Sequence, residues 1–110
     1  NVARFYKESL DIAMKCRHLW SDYDLEMLIA QNCWEINRMV EAEEHFRLAS
    51  DMCPNRFMPL YRLVWLLDRQ GRQTEARELA TIIISKPVKI PSVIIERIKS
   101  EMENYLTLKI

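Results

Sequence analysis

Apolar residues recur along this chain at the spacing of helix faces, in two sets that lie 34 positions apart. In the stretch from Glu41 to Pro54, three apolar side chains fall at i, i+4 and i+7, which is the spacing of one helix face: Ala42, Phe46 and Ala49. A shift of 34 residues places these three on further apolar residues: Ala76, Ala80 and Ile83. The preceding residues behave in the same way, since Ile29, Ala30 and Cys33 fall on Leu63, Val64 and Leu67. This period predicts two helices per repeat.

The pattern predicts about six antiparallel helices. They cover about residues 2–19, 22–37, 41–53, 55–70, 74–85 and 92–107. Pro87 and Pro91 exclude a helix from the linker at residues 86–91, because proline cannot continue one. Residues 1–20 are interpreted as the second helix of a degenerate preceding repeat whose first helix lies outside this chain. Residues 23–56 and 57–90 form two full repeats, and residues 92–107 form a capping helix over the last core face.

Polar and small residues mark the expected helix ends. Side chains that can accept a hydrogen bond from the first turn predict the N-caps: Ser21 and Asp22, Asn55, Gln73 or Thr74, and Ser92. Asn37 and Gly71 are expected at helix C-termini, where a left-handed backbone is needed.

Each predicted helix carries an apolar stripe that is expected to face a core. The stripe contains Phe5, Leu10 or Ser9, Ile12, Ala13 and Cys16 in the first helix; Leu25, Leu28, Ile29, Cys33 and Ile36 in the second; Leu60, Leu63, Val64 and Leu67 in the fourth; and Ile94, Ile95, Ile98, Met102, Tyr105 and Leu106 in the last. On the last helix, Glu96, Lys99, Glu101 and Glu103 are expected mostly outside. Cys33 is interpreted as a small buried apolar group.

Composition narrows the class of protein. The chain has 110 residues, of which 49% are apolar and 29% charged, and this predicts a single folded all-α domain. Sixteen basic residues balance sixteen acidic ones, so a nucleic-acid partner is not expected. A single glycine, Gly71, disfavours β-hairpins and phosphate-binding loops. No apolar run approaches the roughly 20 residues of a membrane span, so this segment is not expected to insert into a bilayer.

These residues resemble the tetratricopeptide repeat family. The first unit matches the family pattern at Ile29, Ala30, Cys33, Ala42, Phe46, Ala49 and Pro54, and the second matches at Leu60, Leu63, Leu67, Gly71, Ala76 and Ala80. The second unit departs from the pattern at Val64 and at its closing proline, Pro87. The resemblance implies an α-α superhelix, a solenoid, that acts as a non-catalytic scaffold for protein–protein interaction.

A narrower resemblance gives an alternative function. The run CPNRFMPLYRLVWLLDRQG, followed by KPVKIPS and a last helix, resembles the carboxy-terminal repeat region of O-antigen ligase-like membrane proteins of Bacteroidetes. This resemblance implies a soluble accessory domain of a surface-polysaccharide enzyme, attached to a bacterial inner-membrane protein whose membrane part carries out the catalysis.

The resemblance also implies where a partner would bind, because the family binds on the first helix of each repeat. The side chains off the core stripe of those two helices form the predicted partner-binding groove: Met27, Gln31, Trp34, Tyr61, Arg62, Trp65 and Arg69. In this hypothesis the three aromatic residues anchor a peptide or helix of a partner protein, and Arg62 and Arg69 pair with its acidic groups. The alternative is that the first helix or an upstream repeat packs over the aromatics. Self-association is a further alternative, and a terminal-carboxylate clamp is not expected.

No set of side chains in the sequence predicts catalysis. His18 and Cys16, two residues apart, point to different sides of a helix. His45 is expected to form a solvated surface pair with Glu41, four residues earlier, rather than a metal site. No enzyme activity, cofactor or metal is therefore predicted.

Overall fold

The structure is a computed structural model that describes residues 2–16 and 22–108, with the side chains of residues 2–12 and 22–108. These residues form six helices and no strand: α1 (Val2–Cys16), α2 (Tyr23–Glu35), α3 (Met39–Met52), α4 (Met58–Arg69), α5 (Gln73–Ser85) and α6 (Val93–Leu108). The all-α class is confirmed, whereas the superhelical arrangement stays a prediction. None of the six helices is long and apolar enough to cross a membrane.

The chain divides into two compact units. The first unit, Asn1–Cys53, contains α1, α2 and α3, and the second unit, Pro54–Ile110, contains α4, α5 and α6. Each unit therefore contains one of the helical hairpins that the 34-residue period predicts.

The two hairpins turn in the same way. After α2, the N–H of Asn37 donates to Trp34 O (3.0 Å) and the N–H of Arg38 donates to Cys33 O (2.7 Å). After α4, the same two bonds lie 34 residues further on, from Gly71 to Asp68 O (3.1 Å) and from Arg72 to Leu67 O (2.9 Å). This pair of bonds is the Schellman motif, which needs a left-handed residue at its centre. Asn37 (φ 66°) and Gly71 (φ 77°) supply it, as the sequence predicts.

The N-caps are only partly as predicted. Asp22 accepts a hydrogen bond from the N–H of Leu25 (2.8 Å), and Ser92 accepts one from the N–H of Ile95 (3.1 Å), so both are confirmed as N-caps. The predictions for Asn55 and for Gln73 or Thr74 are wrong, because α4 begins after Phe57 and α5 begins after Arg72 without a side-chain cap. Ser21 lies outside the described residues.

The core of each unit consists mainly of the predicted stripes. The buried apolar residues of the first unit are Leu10, Ile29, Ala30, Cys33, Ala42, Phe46 and Ala49. Those of the second unit are Phe57, Leu60, Leu63, Val64, Leu66, Leu67, Ala76, Ala80, Ile83, Ile98, Met102 and Tyr105. Burial raises the pKa of the Cys33 thiol to about 11, with a smaller contribution from the negative charge of Glu41. Cys33 is thus confirmed as a small buried group.

Four residues of the predicted stripes are exposed, and the side chains of Ala13 and Cys16 lie outside the described ones. Leu28 is 46% exposed, and Phe5, Ile12 and Ile94 are more than half exposed. In α2 the buried face is rotated toward Glu26 and Asn32, which are both buried. Asn32 Nδ2 donates to Ser9 Oγ of α1 (3.0 Å), and this bond compensates for the burial of its amide.

Lys99 of α6 connects three segments of the second unit. Its Nζ donates to the carbonyl oxygens of Ile84 (3.1 Å) and Lys86 (2.6 Å), at the end of α5. The same amine lies 5.5 Å from the centre of the Phe57 ring, just before α4. The prediction that this side chain lies outside is wrong, because the carbonyl oxygens at the end of a helix attract a cation.

Candidate functional site

The seven predicted groove residues are divided between the two units. Met27, Gln31 and Trp34 lie half-buried on α2 of the first unit, whereas Tyr61, Arg62, Trp65 and Arg69 lie on α4 of the second.

The three residues on α2 make contacts within the first unit. Gln31 Nε2 donates to Glu35 Oε1 (2.9 Å), and the Trp34 ring meets the buried Phe46 ring edge-on at 6.2 Å between centroids. Trp34 therefore contributes to the packing between α2 and α3. Whether these side chains also bind a partner stays a prediction.

The residues on α4 form an aromatic cluster with α6. The Trp65 ring stands nearly perpendicular to that of Tyr61, at 6.4 Å and 89°, and to that of Tyr105, at 5.4 Å and 79°. Edge-to-face pairs of this kind are favourable because the positive ring edge meets the negative ring face. Tyr61, Trp65 and Tyr105 are named the Trp65 cluster below.

Two carboxylates hold the phenols of the Trp65 cluster. Tyr61 donates to Glu101 Oε2 (2.7 Å), and Tyr105 donates to Asp68 Oδ1 (3.0 Å). Each tyrosine therefore donates to a carboxylate on the other helix, and the two bonds connect α4 with α6. Burial raises the pKa of Tyr105 to about 12, helped by the hydrogen bond to Asp68. Burial raises the pKa of Tyr61, and the hydrogen bond to Glu101 makes a smaller contribution in the same direction.

A cavity of about 270 Å³ opens beside the cluster. It is lined by Trp65 of α4 and by Glu101, Asn104, Tyr105 and Leu108 of α6. The four lining residues of α6 fall at i, i+3, i+4 and i+7, so they share one helix face. The cavity thus has aromatic and aliphatic walls with one carboxylate and one amide.

The two arginines of the predicted groove have different surroundings. Arg62 is half-buried and lies near enough to Tyr61 for its positive charge to oppose the rise of the pKa of that phenol. Arg69 is exposed. Neither of them lines the cavity.

Sequence reasoning missed the contribution of α6 to this site. Tyr105 was expected only as a core residue and Glu101 as a surface residue, yet both contact α4 side chains. The sequence contained one usable signal, which is the i, i+3, i+4, i+7 spacing of Glu101, Asn104, Tyr105 and Leu108. It could not show that this face meets Trp65.

The first unit contains a buried polar pair that was also missed. Oε2 of Glu26, which is 0% exposed, lies 2.7 Å from Nδ1 of His45, which is 8% exposed. The prediction of a solvated surface pair between His45 and Glu41 is therefore wrong. His45 faces α2, where Glu26 is its partner. A signal was available, since the residues 34 positions later are Leu60 and Leu79, both apolar.

The described residues contain no group of three or more His, Cys, Asp or Glu side chains that could hold a metal ion. His18 lies outside that part of the chain.

No family model, curated protein or solved structure matches this chain. The resemblances to the tetratricopeptide repeat family and to the O-antigen ligase-like proteins therefore stay predictions.

Proposed function

We propose that this chain is a non-catalytic, tetratricopeptide-like repeat domain that binds protein, and that the Trp65 cluster is part of its contact surface. The observation that carries the proposal is the half-buried Trp65, which lies between two tyrosines and lines a cavity of about 270 Å³. Tryptophan and tyrosine are the residues that most often dominate the energy of a protein interface.

The anchoring of the two phenols supports this proposal. An aromatic side chain that is already held in place loses little conformational entropy when a partner binds. Glu101 and Asp68 hold Tyr61 and Tyr105 at hydrogen-bond distance, so the surface around Trp65 is preorganised. The exposed Arg69 lies four residues after Trp65, on the same side of α4, and adds a charged group there.

The test begins with the full-length protein in its host cell, with a photo-crosslinking amino acid in place of Arg69. The crosslinked protein is identified and purified, and its affinity for the uncrosslinked chain is measured by calorimetry. Trp65→Ala is expected to weaken binding by about tenfold or more, which corresponds to the loss of an interface anchor, and Arg69→Glu, a charge reversal on α4, is expected to change the affinity severalfold. Lys89→Glu, which makes the same kind of charge change at an exposed linker residue, should leave the affinity unchanged.

Circular dichroism of each variant separates binding from folding. Because Trp65 packs on Tyr105, Trp65→Ala is expected to lower the melting temperature, whereas Arg69→Glu should leave it unchanged. If a purified partner binds Arg69→Glu and folded Trp65→Ala as tightly as the parent chain, the Trp65 cluster is not the contact surface.

A further inference from the structure

The cavity beside the Trp65 cluster has a definite chemical character. Trp65, Tyr105 and Leu108 provide apolar walls, Asn104 provides an amide, and Glu101 is the one charged residue among the described residues that line it. A ligand that fits must therefore combine an apolar stem with a neutral or positive end. An anionic end would meet the Glu101 carboxylate without a compensating cation in the lining.

The aromatic walls favour a positive end over a neutral one. The faces of tryptophan and tyrosine rings carry negative charge density, which attracts an ammonium or guanidinium group within about 6 Å. The half-buried Trp65 ring lines the cavity together with Glu101, so a cation in the cavity meets both an aromatic ring and a carboxylate. Glu101 already accepts the Tyr61 hydroxyl at Oε2, and an ionised carboxylate can accept further hydrogen bonds.

We propose that this cavity binds a lysine or arginine side chain of a partner protein. The aliphatic stem packs on Leu108, and the cationic head lies against the Trp65 ring and the Glu101 carboxylate. This proposal rests on the proposed function, because it names the side chain through which a partner protein would engage the Trp65 cluster.

Two arginines near the cluster act against a cationic ligand. The positive charge of Arg62 partly opposes the rise of the Tyr61 pKa, and that of Arg77 partly opposes the rise of the Tyr105 pKa. Both charges therefore act on the cluster, although neither residue lines the cavity. This repulsion predicts the direction in which the affinity changes when the charge of Arg62 is removed. Arg62→Gln is expected to strengthen the binding of a basic side chain severalfold, whereas it would weaken the binding of an acidic one.

The test uses short blocked peptides, acetyl-Ala-Xaa-Ala-amide, titrated into the purified chain while the indole N–H of Trp65 is followed by NMR. Xaa is lysine, arginine, Nε-acetyl-lysine, norleucine or glutamate, and Trp65→Phe assigns the signal. The lysine and arginine peptides are expected to bind with a Kd on the order of 1 mM. Acetyl-lysine and norleucine, which keep the stem but lack the charge, should bind at least about fivefold more weakly. Glutamate should not bind.

A pair of variants on α6 makes the test specific. Glu101→Gln removes the charge but keeps an oxygen that can accept the Tyr61 hydroxyl, so the cluster should stay folded. It is expected to weaken lysine binding about fivefold or more, while Glu103→Gln, at an exposed residue outside the lining, leaves it unchanged.

Each alternative result contradicts the proposal in a different way. Equal binding of lysine and norleucine would make the cavity an apolar slot, and stronger glutamate binding would assign it to an acidic side chain. If none of the peptides shifts the Trp65 signal, but a captured partner still depends on Trp65 and Arg69, the basic-side-chain assignment fails and the proposed function stands. If lysine binds but the captured partner is insensitive to Trp65 and Arg69, the proposed function fails instead.

Discussion

The hairpins α2–α3 and α4–α5 have the same turn but different interiors. Their turns contain the same two Schellman hydrogen bonds, 34 residues apart. Between their helices, however, the first hairpin buries Glu26 against His45, where the second has Leu60 and Leu79 at the equivalent positions. An identical turn can therefore join either a polar or an apolar helix pair.

The apolar positions differ as well. In α3 the large Phe46 precedes the small Ala49, whereas the equivalent positions of α5 hold the small Ala80 and the larger Ile83, and all four are fully buried. The larger side chain is thus one helical turn further along in α5. Since protein cores tolerate redistribution of volume better than its loss, the two hairpins share the spacing of these buried positions without sharing their residues.

The largest expected effect comes from breaking the polar pair of the first hairpin. His45→Leu leaves the buried Glu26 carboxylate without the imidazole 2.7 Å away. Removing one partner of a buried polar pair costs about 3 kcal/mol or more, because the remaining polar group loses a hydrogen bond that water does not replace. We expect the midpoint of urea unfolding at neutral pH to fall accordingly. An unchanged midpoint would mean that the pair contributes nothing to stability.

The double variant Glu26→Leu with His45→Leu replaces the polar pair of the first hairpin with two leucines, as the second hairpin has at the equivalent positions. Two leucines need no solvation, so the double variant is expected to be as stable as the parent chain or up to about 4 kcal/mol more stable. The matched control is Leu60→Glu with Leu79→His, which places the polar pair in the second hairpin. The single variants Glu26→Leu and His45→Leu are measured beside the leucine double variant. If their two losses add up to the change in that double variant, Glu26 and His45 are not coupled.

A smaller effect is expected where the two hairpins agree. At Gly71, a Cβ would meet no atom within 4 Å, so Gly71→Ala costs only the left-handed backbone, about 1–2 kcal/mol. Gly71→Asn should cost less, because Asn37 adopts the same conformation in the first hairpin. Thermal unfolding of both variants measures the difference. A larger loss for asparagine than for alanine would show that the two turns are not equivalent.

The smallest effect concerns alkaline pH and belongs to the second unit. The pKa of Tyr105 is raised from 10.0 to about 12 in the folded chain, so folding favours the neutral phenol. The contribution of the neutral Tyr105 phenol to the free energy of unfolding is complete below pH 10 and is lost as the pH rises from 10 to about 12. Tyr105→Phe should remove this part of the alkaline loss. Urea unfolding at pH 8 and at pH 10.5 compares the two chains, and an equal loss in both would contradict the assignment.

The turns and most of the core could be predicted from the sequence, because both depend on local rules. Asn37 and Gly71 were predicted from their tolerance of left-handed backbone, and Asp22 and Ser92 from their capping oxygens. The cap at Asn55 was predicted wrongly, because a residue with capping chemistry does not force a helix to begin beside it. Phe57 precedes α4 instead.

The site was harder to predict, because it depends on which helix faces meet. The spacing of Tyr61 and Trp65 placed both rings on one side of α4, and the structure brings them together. Their partners Glu101 and Tyr105 are about 40 residues away along the chain, and no periodicity connects them. The 34-residue period does place Glu26 on the apolar Leu60, but the period alone does not show that the helix face of Glu26 meets His45.

Lys99 has a consequence for chemical reactivity. Only an unprotonated, accessible amine attacks an acylating reagent, and the Lys99 amine is occupied by the carbonyl oxygens of Ile84 and Lys86 beneath the Phe57 ring. Acylation of the half-buried Lys99 is therefore expected to be slower than that of the exposed Lys89, and faster when α6 separates from the end of α5. The ratio of the two labelling rates reports how often α6 separates from the end of α5.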